Sequence, residues 1–418
     1  MKRLFATLCA VLAAPAVAWS AEDPWTLTLA SEVRYFSWDG DKGSTTGDPL
    51  ADGSGSQLYI PYAAKLSGKV TDDLKLDILG RGGWVSAEQT TDGASGKVET
   101  ITDIVGSATA TYYGISGLQP FAAVSVNLPT GESALFGSKA NARMDGDLVD
   151  IASFGEGFNI GPTVGVTIPV TANFLITASA GYTWRGEFDR ESSLAATPPV
   201  AQVATKVDPG DVFTVTGGVA FQSGQFSAQL TGSVSEETKT KESGVALYRP
   251  GRRYVVSGTL AYAWETIGQT TVTASASHSE KNDVLFAGAA DLVKESMNTN
   301  SNLYRVGIQH LVPVGDGRFV IGPIASFLFR DHNAYDSTTL QFVPQKERWA
   351  FGGLARYAFS DNITFNARFE YVMTREDDRP APGGQLFSVL ANAFVAGSAV
   401  PHLSSEGVQA AIGLNISF

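Results

Sequence analysis

Apolar and polar residues alternate with a period of two along most of this chain, in sixteen successive blocks. The first eight run roughly Trp25–Trp38, Gln57–Lys69, Leu74–Ser86, Thr100–Tyr113, Pro120–Leu128, Ile160–Val170, Phe174–Glu187 and Val212–Gln222. The second eight run Phe226–Glu237, Arg252–Trp264, Gln269–Lys281, Leu303–Val314, Arg318–Asp331, Arg348–Phe359, Ile363–Thr374 and Gly407–Phe418. Such a period marks a strand with one apolar and one polar face. In the seventh block Phe174, Ile176, Ala178, Ala180, Tyr182 and Trp184 share one face, and Thr177, Ser179, Thr183 and Arg185 share the other. Each block is long enough to cross a bilayer as a tilted strand, which takes about 9–11 residues.

Tight and wide connections alternate strictly. The tight ones are Thr71-Asp72-Asp73, Ile115-Ser116-Gly117, Thr171-Ala172-Asn173, Ser223-Gly224-Gln225, Thr266-Ile267-Gly268, Gly315-Asp316-Gly317 and Ser360-Asp361-Asn362. They carry the Gly, Asn, Asp and Ser that short turns require. The wide ones, such as Asp39–Ser56, Phe188–Gly210 and Arg375–Glu406, are longer and more polar. Hydrocarbon offers no partner to an unpaired strand edge, so spanning strands must close on themselves. The expected fold is all-β: a transmembrane antiparallel barrel of about sixteen strands, with fourteen or eighteen also compatible. Its short turns would face the periplasm and its long loops the exterior.

The final strand makes the membrane reading sharper. Val408, Ala410, Ile412, Leu414, Ile416 and Phe418 form an apolar face opposite Gln409, Ala411, Gly413, Asn415 and Ser417. This strand, ending on Phe418, resembles the closing strand of Gram-negative outer-membrane barrels, in which the terminal phenylalanine is an assembly signal. The resemblance implies outer-membrane lipid and the barrel-assembly machinery as partners. Residues 1–18 fit a cleaved signal peptide: Lys2 and Arg3, an apolar run from Leu4 to Val17, then Ala16-Val17-Ala18. The expected division is therefore signal peptide 1–18 and barrel 19–418, exported to the cell outer membrane. Cys9, the only cysteine, lies within the leader, so the mature chain has no disulfide or thiolate site.

The chain carries a net charge of −12, which argues against a nucleic-acid partner. Fixing each strand by its apolar face nevertheless assigns Arg34, Lys65, Lys69, Lys75, Arg81, Arg185, Arg253, Arg305, Arg356 and Arg368 to the inside. Only Glu32, Asp77, Asp103 and Glu370 join them among the acids. An acidic protein thus gains a basic bore. Aromatics near strand ends suggest interfacial girdles, with Trp25, Phe121, Phe174, Trp264 and Phe359 on one side.

Further acids come from the connection Pro129–Asn159, between the fifth and sixth strands. In strand number, lack of a plug, and the place of this connection, the chain resembles sixteen-stranded general porins, whose third loop folds into the barrel. The resemblance implies that residues 129–159 narrow the pore, with Glu132, Lys139, Arg143, Asp145, Asp147 and Asp150 as the constriction residues, and it leaves open a homotrimer. The four acids would stand opposite the basic wall. A second, local resemblance rests on Asn127-Leu128-Pro129-Thr130-Gly131, Phe154-Gly155-Glu156-Gly157 and Gly161-Pro162. These look like the phenol-degradation MetA-pathway outer-membrane proteins and, more distantly, fatty-acid and toluene channels.

The four histidines, His278, His310, His332 and His402, are scattered without metal-ligand spacing, and no serine beside them stands out as a nucleophile. The expectation is a channel without cofactor or catalysis, passing small solutes by diffusion. Its basic lumen would favour anions or carboxylated compounds. A conduit for hydrophobic or aromatic compounds, and a secretion pore for an extracellular polymer or fibre subunit, remain the alternatives.

Overall fold

The computed structural model describes residues 25–41, 52–91, 94–191, 204–286, 289–339, 341–378, 385–388, 393–396 and 403–418. The leader expectation and His402 lie outside them. Sixteen strands form the wall. They are β1 Trp25–Asp41, β2 Asp52–Thr71, β3 Leu74–Thr91, β4 Ala94–Ile101 continued as Ile104–Tyr112, β5 Gln119–Leu128 and β6 Asn159–Thr171. Then come β7 Phe174–Arg185, β8 Val212–Ser223, β9 Phe226–Glu237, β10 Arg253–Trp264 and β11 Gly268–Ser279. The last are β12 Leu303–Val314, β13 Phe319–Arg330, β14 Lys346–Ser360, β15 Ile363–Glu376 and β16 Leu403–Ser417.

Each strand pairs antiparallel with the next, and β1 pairs with both β2 and β16. Leu29 lies opposite Ala64 on one side and Ile416 on the other. The wall is therefore closed. At the seam the backbones of Leu27 and Phe418 exchange hydrogen bonds of 3.2 and 2.9 Å, so the terminal residue completes the closure. Tight turns join the strands at one end. Gly117, Gly224, Gly315 and Gly317 take the positive φ that these turns demand.

The outer face is apolar. Val164 is 62% exposed, Phe369 56% and Ile412 67% on the isolated chain, as residues that meet lipid would be. Phe121 departs from the girdle expectation. Its register opposite Gly165 puts it on the inner phase, and a Cβ on Gly165 would lie 2.4 Å from the Phe121 ring. The ring therefore fills space that glycine leaves inside the wall.

The wide connections are partly structured. Phe188–Glu191, Ala204–Asp208, Thr240–Glu242, Val245–Arg249, Asp283–Val284 and Val293–Lys294 form a separate six-stranded sheet from three neighbouring loops. β1, β2 and β3 have 17, 20 and 18 residues, well beyond the about 9–11 needed for a crossing. The excess supports something inside. The apolar core joins inward-facing Phe36, Trp38, Val85, Ala87, Ala350 and Val372 to Leu135, Met144, Leu148, Val149 and Phe154 from the β5–β6 connection. The segment between β5 and β6 thus packs against the inner surface of the wall.

Candidate functional site: the lumen and its infolded segment

The infolded segment hangs from a narrow neck. β4 breaks at Thr102 and Asp103, and the Asp103 carboxylate accepts three hydrogen bonds across the break. They come from Gly131 N at 2.8 Å, Glu156 N at 2.7 Å and Asn127 Nδ2 at 2.8 Å. Thr130 Oγ1 accepts from Ile104 N at 3.0 Å and donates to the Thr102 carbonyl at 3.0 Å. A Cβ on Gly131 would sit 2.0 Å from the Phe154 carbonyl oxygen, so the two ends of the segment touch through glycine. The residues of the Asn127–Gly131 and Phe154–Gly157 motif therefore meet at one point, where they build this neck.

Beyond the neck, a 3₁₀ turn at Gly137–Ala142 leans on β3 and β4. Gln89 Nε2 donates to the Asn141 carbonyl at 3.1 Å, and Asn141 Nδ2 reaches the Ser95 carbonyl at 3.4 Å. Gln57 both donates to the Ile151 carbonyl (2.7 Å) and accepts from Ile151 N (3.1 Å). Arg143 turns back on the segment, donating to the Ser133 carbonyl at 2.9 Å with its guanidinium 5.9 Å from the Phe154 ring centre. Lys139 pairs with Glu132 at 2.8 Å. Those three expected constriction residues serve the segment's own shape.

The aspartates reach the wall. Asp147 meets Arg330 at 3.3 Å, Asp145 is ion-paired with Lys346, and Asp150 meets Arg34 at 3.3 Å. Glu376 closes the first cluster, 3.2 Å from Arg330 and 2.8 Å from Lys346. Burial raises the pKa of Asp145, but the Lys346 ammonium, its hydrogen bond and the Asp147 backbone N–H outweigh burial and hold it at about 2. These wall partners lie on β1, β13, β14 and β15.

The other inward residues fall into two groups. Several brace the wall: Lys65 and Lys75 flank Asp77 at 3.7 and 3.3 Å, and Arg368 pairs with the buried Glu370. Arg34 also pairs with Glu32 at 2.5 Å. Arg185 is nearly buried at the rim, bonded to Glu237 at 2.8 Å and the Gly210 carbonyl at 3.1 Å. Arg81 lies on the inner face opposite Ala63. The second group faces the remaining space. Among the described residues no carboxylate lies within ion-pair distance of Arg305 or Arg356. Arg305 stands close enough to Arg253 and Arg348 to repel both. A cavity of about 410 Å³ runs along β9 to β14, lined by Gln229, Thr231, Ser257, Ser275, Arg305 and Arg348, among others.

Sequence reasoning left out Arg330, Lys346 and Arg348. All three continue the inward phase of β13 and β14, through Leu328 and Ala350. Arg330 stands at the end of one predicted block, Arg348 opens the next, and Lys346 lies two residues before it, so carrying the phase through the block ends would have found them.

The fold and lumen define a transmembrane β-barrel that encloses a polar, arginine-bearing interior. No protein-family model and no curated protein sequence matches the chain. Solved structures with similarity include an outer-membrane channel from Pseudomonas putida F1, at 8% identity over 97% of this chain and 99% of that one, with a TM-score of 0.38. Pseudomonas aeruginosa OpdQ is similar at 8% identity over 94% and 98% of the two chains, TM-score 0.43. A TodX deltaS2S3 mutant, a monoaromatic hydrocarbon channel, is similar at 13% identity over 98% and 94%, TM-score 0.42. Likenesses so distant carry no information on a solute.

Proposed function

We propose that this protein is an outer-membrane channel through which small hydrophilic solutes diffuse, with a preference for anions and carboxylated compounds. The observation that carries the reading is the cavity along β9 to β14, bordered by Arg305 and Arg348 with no acid paired to Arg305 among the described residues. The aspartates of the infolded segment, Asp145, Asp147 and Asp150, are already committed to Lys346, Arg330 and Arg34. They leave Arg305 and Arg356 with no carboxylate at ion-pair distance among the described residues. A water-filled bore with low-dielectric walls concentrates counter-ions opposite such a surface. In this reading residues 129–159 narrow the bore, and Phe418, exposed to 66% at the seam, is the group that the assembly machinery takes up.

The motif that favoured a hydrophobic solute is engaged in the neck around Asp103, which gives it a structural purpose. Reconstitution in planar bilayers tests the proposal. Stepwise chloride-carrying conductance with an anion-selective reversal potential is expected. Insertion without ionic conductance would overturn it.

A further inference from the structure

One lateral row of the barrel has an unusual composition. Following the strand register from residue to opposite residue gives Thr167, Thr177, Gly218, Thr231, Ser257, Ser275, Arg305, Leu328 and Arg348, on β6 through β14 without a break. All nine belong to the inward phase. Five of the nine are hydroxyls in one run interrupted by a single glycine, and the run ends on two arginines separated by one leucine.

The row climbs as it goes round. Thr167 and Thr177 lie beside the Thr171–Phe174 turn, while Arg305 and Arg348 lie near the upper starts of strands beginning at Leu303 and Lys346. Strands spaced about 4.8 Å apart and tilted by about 35–45° raise such a row by roughly 3 Å per strand. Eight steps therefore lift it by roughly 25 Å, close to the height of the apolar band of such barrels. The row is a spiral track from the arginine end at the outer side to the hydroxyl end at the periplasmic side. The cavity of about 410 Å³ lies on it: Thr231, Ser257, Ser275, Arg305, Leu328 and Arg348 are all row members and all line it. That volume falls within the about 300–1,000 Å³ of small-molecule sites.

The chemistry of the track selects a class of solute. Arg305 and Arg348 are two strands apart in register with Leu328 between them, which places their backbones about 10 Å apart. Guanidinium forks of this kind take a carboxylate in planar, charge-assisted pairs. Arg348 also keeps a buried Nε without a hydrogen-bond partner, beside its 3.3 Å contact to Gln409. Below the arginines, each Ser or Thr hydroxyl can donate or accept by rotating, so it can exchange hydrogen bonds with a moving polyol. An alkyl chain would strip water from the same hydroxyls and return nothing.

We propose that this row guides polyhydroxylated carboxylates, that is sugar acids, with the arginines engaging the carboxylate and the hydroxyls handing on the body of the solute. The inference rests on the channel reading above and narrows its solute class. The test is block of chloride current by gluconate, by hexanoate and by sorbitol, in wild type and in a Thr231→Val, Ser257→Ala, Ser275→Ala variant. Gluconate is expected to block at a concentration roughly tenfold below hexanoate and sorbitol, the scale of two or more net hydrogen bonds. In the variant gluconate should block no better than hexanoate. Equal block by gluconate and hexanoate in wild type would overturn the track, whether or not the variant folds. Absence of any chloride conductance would overturn the channel reading itself.

Discussion

The Asp103 carboxylate lies 2.8 Å from the backbone nitrogen of Gly131 and so binds the start of the infolded segment to a break in the wall. Its other oxygen holds Glu156 N at the segment's end, 2.7 Å away. One side chain thereby ties both ends of a connection about thirty residues long. Changing Asp103 to Ala would orphan two backbone donors, each costing about 1–3 kcal/mol. The barrel should still assemble, because the strand ladders do not use this group. Mean conductance and current noise in bilayers should both increase, and the segment should become cleavable by trypsin at Lys139 or Arg143. An unaltered, quiet current would show that the neck does not hold the segment in place.

Acid should release the far end of the segment. Asp145 is held at about 2 by Lys346, against an ordinary value near about 3.9. A depressed carboxylate contributes attachment that is complete above its free pKa and is lost as pH falls through its docked pKa. Conductance should therefore be steady from neutral pH to about 4 and rise between about 4 and 2. In Lys346→Met the burial of Asp145 is no longer opposed by the ammonium, so the rise should move to higher pH. Titration of single-channel conductance in both proteins checks this, and coincident curves would contradict it.

The wall was legible in the sequence because its physics is local. A period of two, together with turn residues at alternate junctions, located all sixteen strands, and β9 and β12 begin and end where the pattern does. What the pattern could not show depended on neighbours across the barrel. Phe121 turns inward where Gly165, directly opposite on the neighbouring strand, leaves room for its ring. Asp103 reads as one more lumen acid, since the interruption of β4 leaves no mark on the alternation. Arg330 and Lys346 sit at strand ends, where periodicity fades, and their roles come from Asp147 and Asp145, which are distant in the chain. The surface sheet escaped for a similar reason: its strands have two to five residues, too few to establish a period.

Lipid contact on the outer face gives a depth-dependent test. Ile412 faces outward near the middle of β16, whereas Asn415 belongs to the inner phase. Ile412→Lys should cost roughly 2–4 kcal/mol of folding free energy in a bilayer. Asn415→Lys should cost much less. Reversible unfolding from phospholipid vesicles measures both, and equal losses would mean that the faces are assigned wrongly.

The arginines of the open side carry the central claim. Arg253, Arg305, Arg348 and Arg356 come from three different strands and lie on the inner phase. With a Debye length of about 8 Å at physiological salt, their charge reaches across a narrow bore and reaches further at low salt. Changing all four to glutamine removes that charge while preserving polarity. The most direct measurement is the reversal potential of wild type and this variant in planar bilayers under a salt gradient. The expected result is anion selectivity in the wild type that falls in the variant, most strongly at low ionic strength. An unaltered ratio of anion to cation permeability, in a variant that inserts and conducts, would contradict the assignment of these residues to the pore.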